Sequence, residues 1–195
     1  MTTATARIAS RHDTEPSARR RRYEPDRRQR LIETALDVIV EHGVVGTSHR
    51  RVAAAADVPL GSMTYHFTSL QELLLLAFSH LADRCGDEFD SAMAAVEPGE
   101  DARSTIVGAM TADLAGNARN AVLTYELYAL AARDPAFRVV TQAWMDRTRV
   151  CLERHFDPDT ARVIDALIEG LLVHATLSTE PIDTARMRLA LDRLT

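Results

Sequence analysis

The stretch "TSHRRVAAAADVPLGSMTYHF", residues 47–67, decides how this chain folds. It opens on hydroxyls and arginines, runs through the small apolar residues Val52 to Ala56, breaks at Asp57-Val58-Pro59, and ends in an aromatic-tipped segment. Thr47 or Ser48 is a natural helix N-cap. His49 to Ala56 therefore reads as about two helical turns with Val52, Ala53 and Ala56 on one face. Alanine on that face lets a second helix pack closely. Asp57 tolerates a left-handed turn better than most residues, and Pro59 suits the start of a new helix. Leu60 to Phe67 then turns Met63 and Phe67 inward at i and i+4, with Leu60, Gly61, Ser62, Thr64, Tyr65 and His66 facing outward.

Two helices this short are unstable alone, so the flanking segments must hold them. Upstream, "EPDRRQRLIETALDVIVEHG" starts at Pro25 and Asp26, stops at Gly43, and places Leu31, Ile32, Ala35, Leu36, Ile39 and Val40 in one amphipathic stripe. Downstream, Ser69-Leu70-Gln71-Glu72 is a capping box that starts a long helix to about Met93. "EPGED" at residues 97–101 breaks the chain. Helical patterns follow at about 101–117, 119–133, 135–155, 159–178 and 183–194, punctuated by Asp134-Pro135, Asp157-Pro158 and Pro181. No segment alternates as a strand would. The expected fold is all-α with about nine helices, divided into an arm at 1–22, a unit at 23–70 and a larger unit at 71–195.

Composition agrees with a soluble globular chain: 46% hydrophobic and 26% charged residues over 195 positions. The longest apolar run, Leu73 to Phe78, is far too short to span a bilayer, and no apolar stretch follows the basic N-terminus as a secretory signal requires. Cys85 and Cys151 stand alone with no metal-ligand spacing, so they read as reduced, packed thiols and the chain as cytoplasmic, without metal or cofactor. The net charge of −5 is uneven. Residues 1–70 hold eleven basic against eight acidic residues, and the remainder twelve against twenty. All 23 basic residues are arginine, a side chain suited to phosphate. A basic front on an acidic body points to a polyanion at the front. The run Arg19 to Arg22 reads either as a solvated tail or as an arm that follows phosphates.

Two short helices around a tight turn form a helix-turn-helix, whose second helix fits the DNA major groove. Gly61 permits close backbone approach, and Ser62, Thr64, Tyr65 and His66 offer short donors and acceptors to phosphates and base edges. Arg50 and Arg51, with Thr47 at the cap, would hold the flanking phosphates.

Over Arg27 to Leu76, through "EHGVVGTSHR" and "VAAAADVPLGSMTYHFTSLQELL", the sequence resembles the TetR/AcrR family of bacterial transcriptional regulators. The resemblance implies three helices for DNA and six for ligand and dimerisation, in a repressor released by a small molecule. It also implies DNA contacts at Thr47, Arg50, Leu60, Gly61, Ser62, Thr64, Tyr65 and His66. Four positions depart from the family pattern: Pro59 replaces a capping hydroxyl, Thr64 a tyrosine, Leu70 a lysine and Asp57 a turn glycine.

In the body, the segment 159–178 carries an apolar band wider than one stripe, from Val163 to Ala175. The last helix adds Met187, Ala190, Leu191 and Leu194. Both helices are either buried within one chain or, as the resemblance favours, form a two-fold interface in a homodimer on a near-palindromic operator. His80, Arg84, Met110, Asp113, Tyr125, Tyr128, Trp144 and His174 are scattered polar and aromatic residues among apolar helices, the composition of a small-molecule site. Phosphate-loop, zinc-protease, nucleophile-elbow and EF-hand motifs are absent, which argues against an enzyme. An all-helical small-molecule-binding module without DNA binding is the alternative.

Overall fold

The computed structural model describes residues 26–97, 100–116 and 118–195. The arginine run at 19–22 and Pro25 lie outside the described residues. Among those described there are nine helices and no strand: α1 Arg27–Gly46, α2 His49–Ala55, α3 Leu60–His66, α4 Leu70–Ala94, α5 Ala102–Gly116, α6 Ala118–Ala131, α7 Pro135–Leu152, α8 Pro158–Leu177 and α9 Thr184–Asp192. No described helix is long and apolar enough to cross a membrane.

The caps show why the chain stops and restarts where it does. Ser48, rather than Thr47, caps α2 by accepting from the Arg51 N–H at 3.2 Å. Ser69 caps α4 by accepting from the Glu72 N–H at 3.1 Å. The returning Glu72 carboxylate accepts from the Thr68 N–H at 2.7 Å, one residue earlier than the expected box. Asp134, Asp157 and Asp183 cap α7, α8 and α9, the first two followed by proline at the helix start. α1 breaks at Gly43, whose φ of 67° and ψ of 170° suit glycine almost alone.

The stripe expected on α1 is the core of the front end. Leu31, Ile32, Ala35, Leu36 and Ile39 pack with Val52 and Ala53 of α2, Met63 of α3, Phe67, and Leu73, Leu74, Ala77, Phe78 and Leu81 of α4. The same cluster takes in Leu123 and Leu127 of α6 and Phe137 and Val140 of α7. A second cluster joins Met93, Ile106, Met110, Cys151, Ile164 and Ile168 to Met187 and Leu191 of α9. Met187 and Leu191 are thus consumed by packing within the chain, and the stripe expected on α9 is not wholly free for a partner. α8 is different: Val163, Ala166, Gly170, His174 and Leu177 remain exposed along one face.

Candidate nucleic-acid interface and effector cavity

α2 and α3 meet at Asp57, whose φ of 51° is the left-handed value the turn requires. Burial of Met63 and Phe67 fixes the rotation of α3 and turns its other face outward. Leu60 is half exposed, Gly61 and Thr64 are exposed, and Tyr65 stands out at 84% exposure. Ser62 and His66 are partly covered. Thr64 donates its hydroxyl to the Gly61 carbonyl at 3.2 Å. The His66 ring lies edge-on to Tyr65 with centroids 4.9 Å apart. Partial burial and the charges of Arg27 and Arg28 hold its imidazole below the usual range.

Arg50 and Arg51 are exposed on α2, close to this surface. Arg51 spends part of its guanidinium on the Gly46 carbonyl. Thr47 is placed otherwise than expected: it is 4% exposed, and its hydroxyl donates to the Gly43 carbonyl at 2.8 Å. It braces the corner between α1 and α2. Arg28 lies over the Phe67 ring at 5.5 Å and so carries positive charge beside the end of α3.

In the body, a cavity of about 310 Å³ is walled by α4, α5, α6, α7 and α8. Four of the eight expected residues line it: Met110, Asp113, Tyr125 and Trp144. Arg84 and Tyr128 stand one step behind. Arg84 donates to Asn120 Oδ1 at 2.7 Å, and the Tyr128 hydroxyl donates to Glu169 Oε2 at 2.8 Å, both acceptors being wall residues. His80 is not part of the site. It faces α1, 3.2 Å from the Gln29 amide nitrogen and 3.7 Å from Glu33. His174 is not part of it either: it lies on the exposed face of α8, while Leu172, Val173 and Thr176 of the same turn line the cavity.

Three of the four carboxylates of this cavity, Glu88, Asp165 and Glu169, are what sequence reasoning missed; Asp113 was expected. Glu88, Asp113, Asp165 and Glu169 all line it, together with Phe89, Tyr125 and Trp144. Asp165 has an arginine partner, Arg149, at 2.9 Å. Burial raises the Asp113 carboxyl, against the opposing Asn120 hydrogen bond. Burial likewise raises Asp165, against Arg149, and Glu169, against Tyr128. Burial also pushes the Cys85 thiol in the wall up to about 11, so it is no nucleophile near neutral pH. The spacing of Asp165 and Glu169, i and i+4 on an otherwise apolar helix, was the visible signal. Apolar, aromatic walls with partly buried acids suit an aromatic cation, which gains both stacking and charge compensation.

Comparison with known proteins is consistent with both surfaces. The model of the tetR family of bacterial regulatory proteins matches residues 31–77. That of the tetracyclin repressor-like C-terminal domain matches 98–195. The transcriptional regulator SCO7518 of Streptomyces coelicolor is 47% identical, superposes with a TM-score of 0.82, and is covered over 99% of its length by 88% of this chain. The multidrug-binding protein EbrR in complex with ethidium is 36% identical with a TM-score of 0.78, across 89% of this chain and 100% of that one. EbrR is also known in complex with proflavin and with malachite green. The regulator CymR of Pseudomonas putida is 30% identical over 64% of this chain, a match that spans 60% of CymR. A module without DNA binding does not fit a match across residues 31–77.

Proposed function

The chain belongs to the TetR family of bacterial regulatory proteins, and on that footing we propose that it is a homodimeric repressor released from a near-palindromic operator by a flat aromatic cation. The outward face of α3, from Leu60 to His66, enters the major groove, and Arg50 and Arg51 hold the flanking phosphates. The observation that carries this half is the rotation of α3: Met63 and Phe67 are buried while Tyr65 is 84% exposed. The exposed apolar face of α8, from Val163 to Leu177, supplies the second copy's seat. Two copies would set two recognition helices about one DNA turn apart.

The acidic, aromatic cavity carries the effector half. Ethidium, proflavin and malachite green, three of the molecules EbrR has been seen with beside imidazole, are aromatic cations, and four carboxyls line the cavity of this chain. Selection of bound sequences from random DNA tests the first half: an inverted repeat is expected, and enrichment of no sequence overturns it. Calorimetric titration of the DNA-free protein with malachite green tests the second. Saturable binding that is lost in Trp144→Ala is expected, and equal heats for both proteins refute the assignment.

A further inference from the structure

α6 faces two ways. Asn120, Ala121, Thr124 and Tyr125 line the cavity, while Leu123 and Leu127 are buried in the core shared with α1. α6 packs on α1 more extensively than on α4. Next to Tyr125, Glu126 reaches the far end of α1. There the departure of Gly43 from helical geometry removes the partner that Val44 N–H would have had one turn back. The Glu126 carboxylate takes that place: Val44 N–H donates to Oε2 at 3.2 Å. Its other oxygen lies so close that a Cβ on Gly43 would stand 3.1 Å from it. This two-residue hook is the root of the DNA-reading pair. Thr47 bonds back to it through both its N–H, to the Val44 carbonyl at 3.1 Å, and its hydroxyl, to the Gly43 carbonyl. Ser48 then caps α2, which carries Arg50 and Arg51 and packs on α3.

We propose that Glu126 is a positioning residue for operator reading, which pins the α1 hook to the effector domain and yields when an occupant of the cavity displaces Tyr125. The operator half of this inference needs only the family's DNA binding; the effector half rests on the cavity reading above. A movement of α6 along or about its axis carries Glu126 off the Val44 N–H, because the two side chains leave adjacent residues of one helix. The α1–α2 corner then loses its external tether, and two copies no longer hold their α3 helices at one spacing. Coupling of this kind is bounded by what the contact contributes differently in the two states.

The test uses Glu126→Ala and Glu126→Gln in the full chain, an operator obtained by selection, and malachite green as the effector probe. Malachite green should bind Glu126→Ala within about twofold of the parent, measured without DNA. Operator affinity should fall about fivefold or more, as expected for loss of a hydrogen bond to a charged group. The factor by which the dye weakens operator binding should shrink by a similar amount. A purely structural role would not move that ratio, and a Trp144→Ala control removes any direct effect of the dye on DNA. Glu126→Gln, whose amide oxygen can still accept from Val44, should recover most of both effects. Parental operator affinity and parental dye response in Glu126→Ala would overturn the proposal, as would a Gln variant that behaves like the Ala variant. Should the parent not bind the dye, the cavity assignment fails, and the operator affinities alone decide on Glu126.

Discussion

Gly61 separates folding from function, and replacing it with alanine should improve one while damaging the other. It is the second residue of α3, exposed, and a Cβ built there meets nothing within 4 Å. Alanine is the better helix former by about 0.5–1 kcal/mol in a helix interior, and the lower end applies in a first turn. A chain of this size gains roughly 2–4 °C per kcal/mol, so Gly61→Ala should melt about 1–2 °C higher. In the proposed complex the same methyl would stand between the α3 backbone and the groove. A recognition helix held off its base edges loses about 1–3 kcal/mol for a spoiled contact, or about five- to 150-fold in operator affinity. The assays are a thermal melt and fluorescence anisotropy on the selected operator at fixed salt, since salt alone shifts affinity by orders of magnitude. Gly108→Ala is the control: Gly108 is exposed on α5, meets nothing within 4 Å, and lies far from α3 in sequence. It should raise the melting point without touching DNA affinity. Operator binding unchanged in Gly61→Ala would refute the close approach of α3.

Gly43→Ala should destabilise the fold, because its φ of 67° and ψ of 170° lie where other residues incur about 1–3 kcal/mol; a melting point within 1 °C of the parent, against an expected fall of about 2–12 °C, contradicts this. The carboxyls of Asp113, Asp165 and Glu169 are raised on folding, so the folded chain holds protons that the unfolded chain has released. Their contribution to stability is present at low pH and is lost as pH rises through their folded values. The melting point of the parent minus that of an Asp113→Asn/Glu169→Gln variant should therefore decline as pH rises above about 4, the unfolded carboxyl range, and a difference that stays flat with pH rejects it. His66 is held low by burial and by Arg27 and Arg28, and a phosphate brought beside it would favour the imidazolium. Operator affinity should then rise as pH falls from about 8 to 6, and His66→Gln should remove that slope.

What could be read from the sequence was what depends on one helix at a time. The stripe on α1, the inward pair Met63 and Phe67, and the cap at Ser69 follow from spacing, and each is found buried or bonded as spacing requires. Which helix meets which face depends on packing that no spacing records. His80 and Arg84 sit one turn apart, yet the first turns to Gln29 on α1 and the second to Asn120 on α6. Met187 and Leu191 make a stripe that suits a partner chain or a neighbour in the same chain equally well, and α5 is that neighbour. Thr47 looked like a surface cap because threonine often is one. The kink at Gly43 supplied it with a carbonyl and drew it inside.

The packing also explains why an occupant of the cavity can be felt at the DNA surface. The expected division near residue 70 is not a break in the core: one apolar cluster runs from Leu31 on α1 to Val140 on α7. The other cluster holds α5, α8 and α9 together with the end of α7. The cavity opens between them, with Trp144 from the edge of the first and Met110 and Ile168 from the second in its walls. At about 310 Å³ it is at the small end of the ~300–1,000 Å³ usual for small-molecule sites, so a drug-sized ligand must push walls as well as fill space. Close-packed clusters resist internal deformation. The strain is relieved by moving one block against the other, and α6, which packs on α1 and α7 and also lines the cavity, is in contact with both.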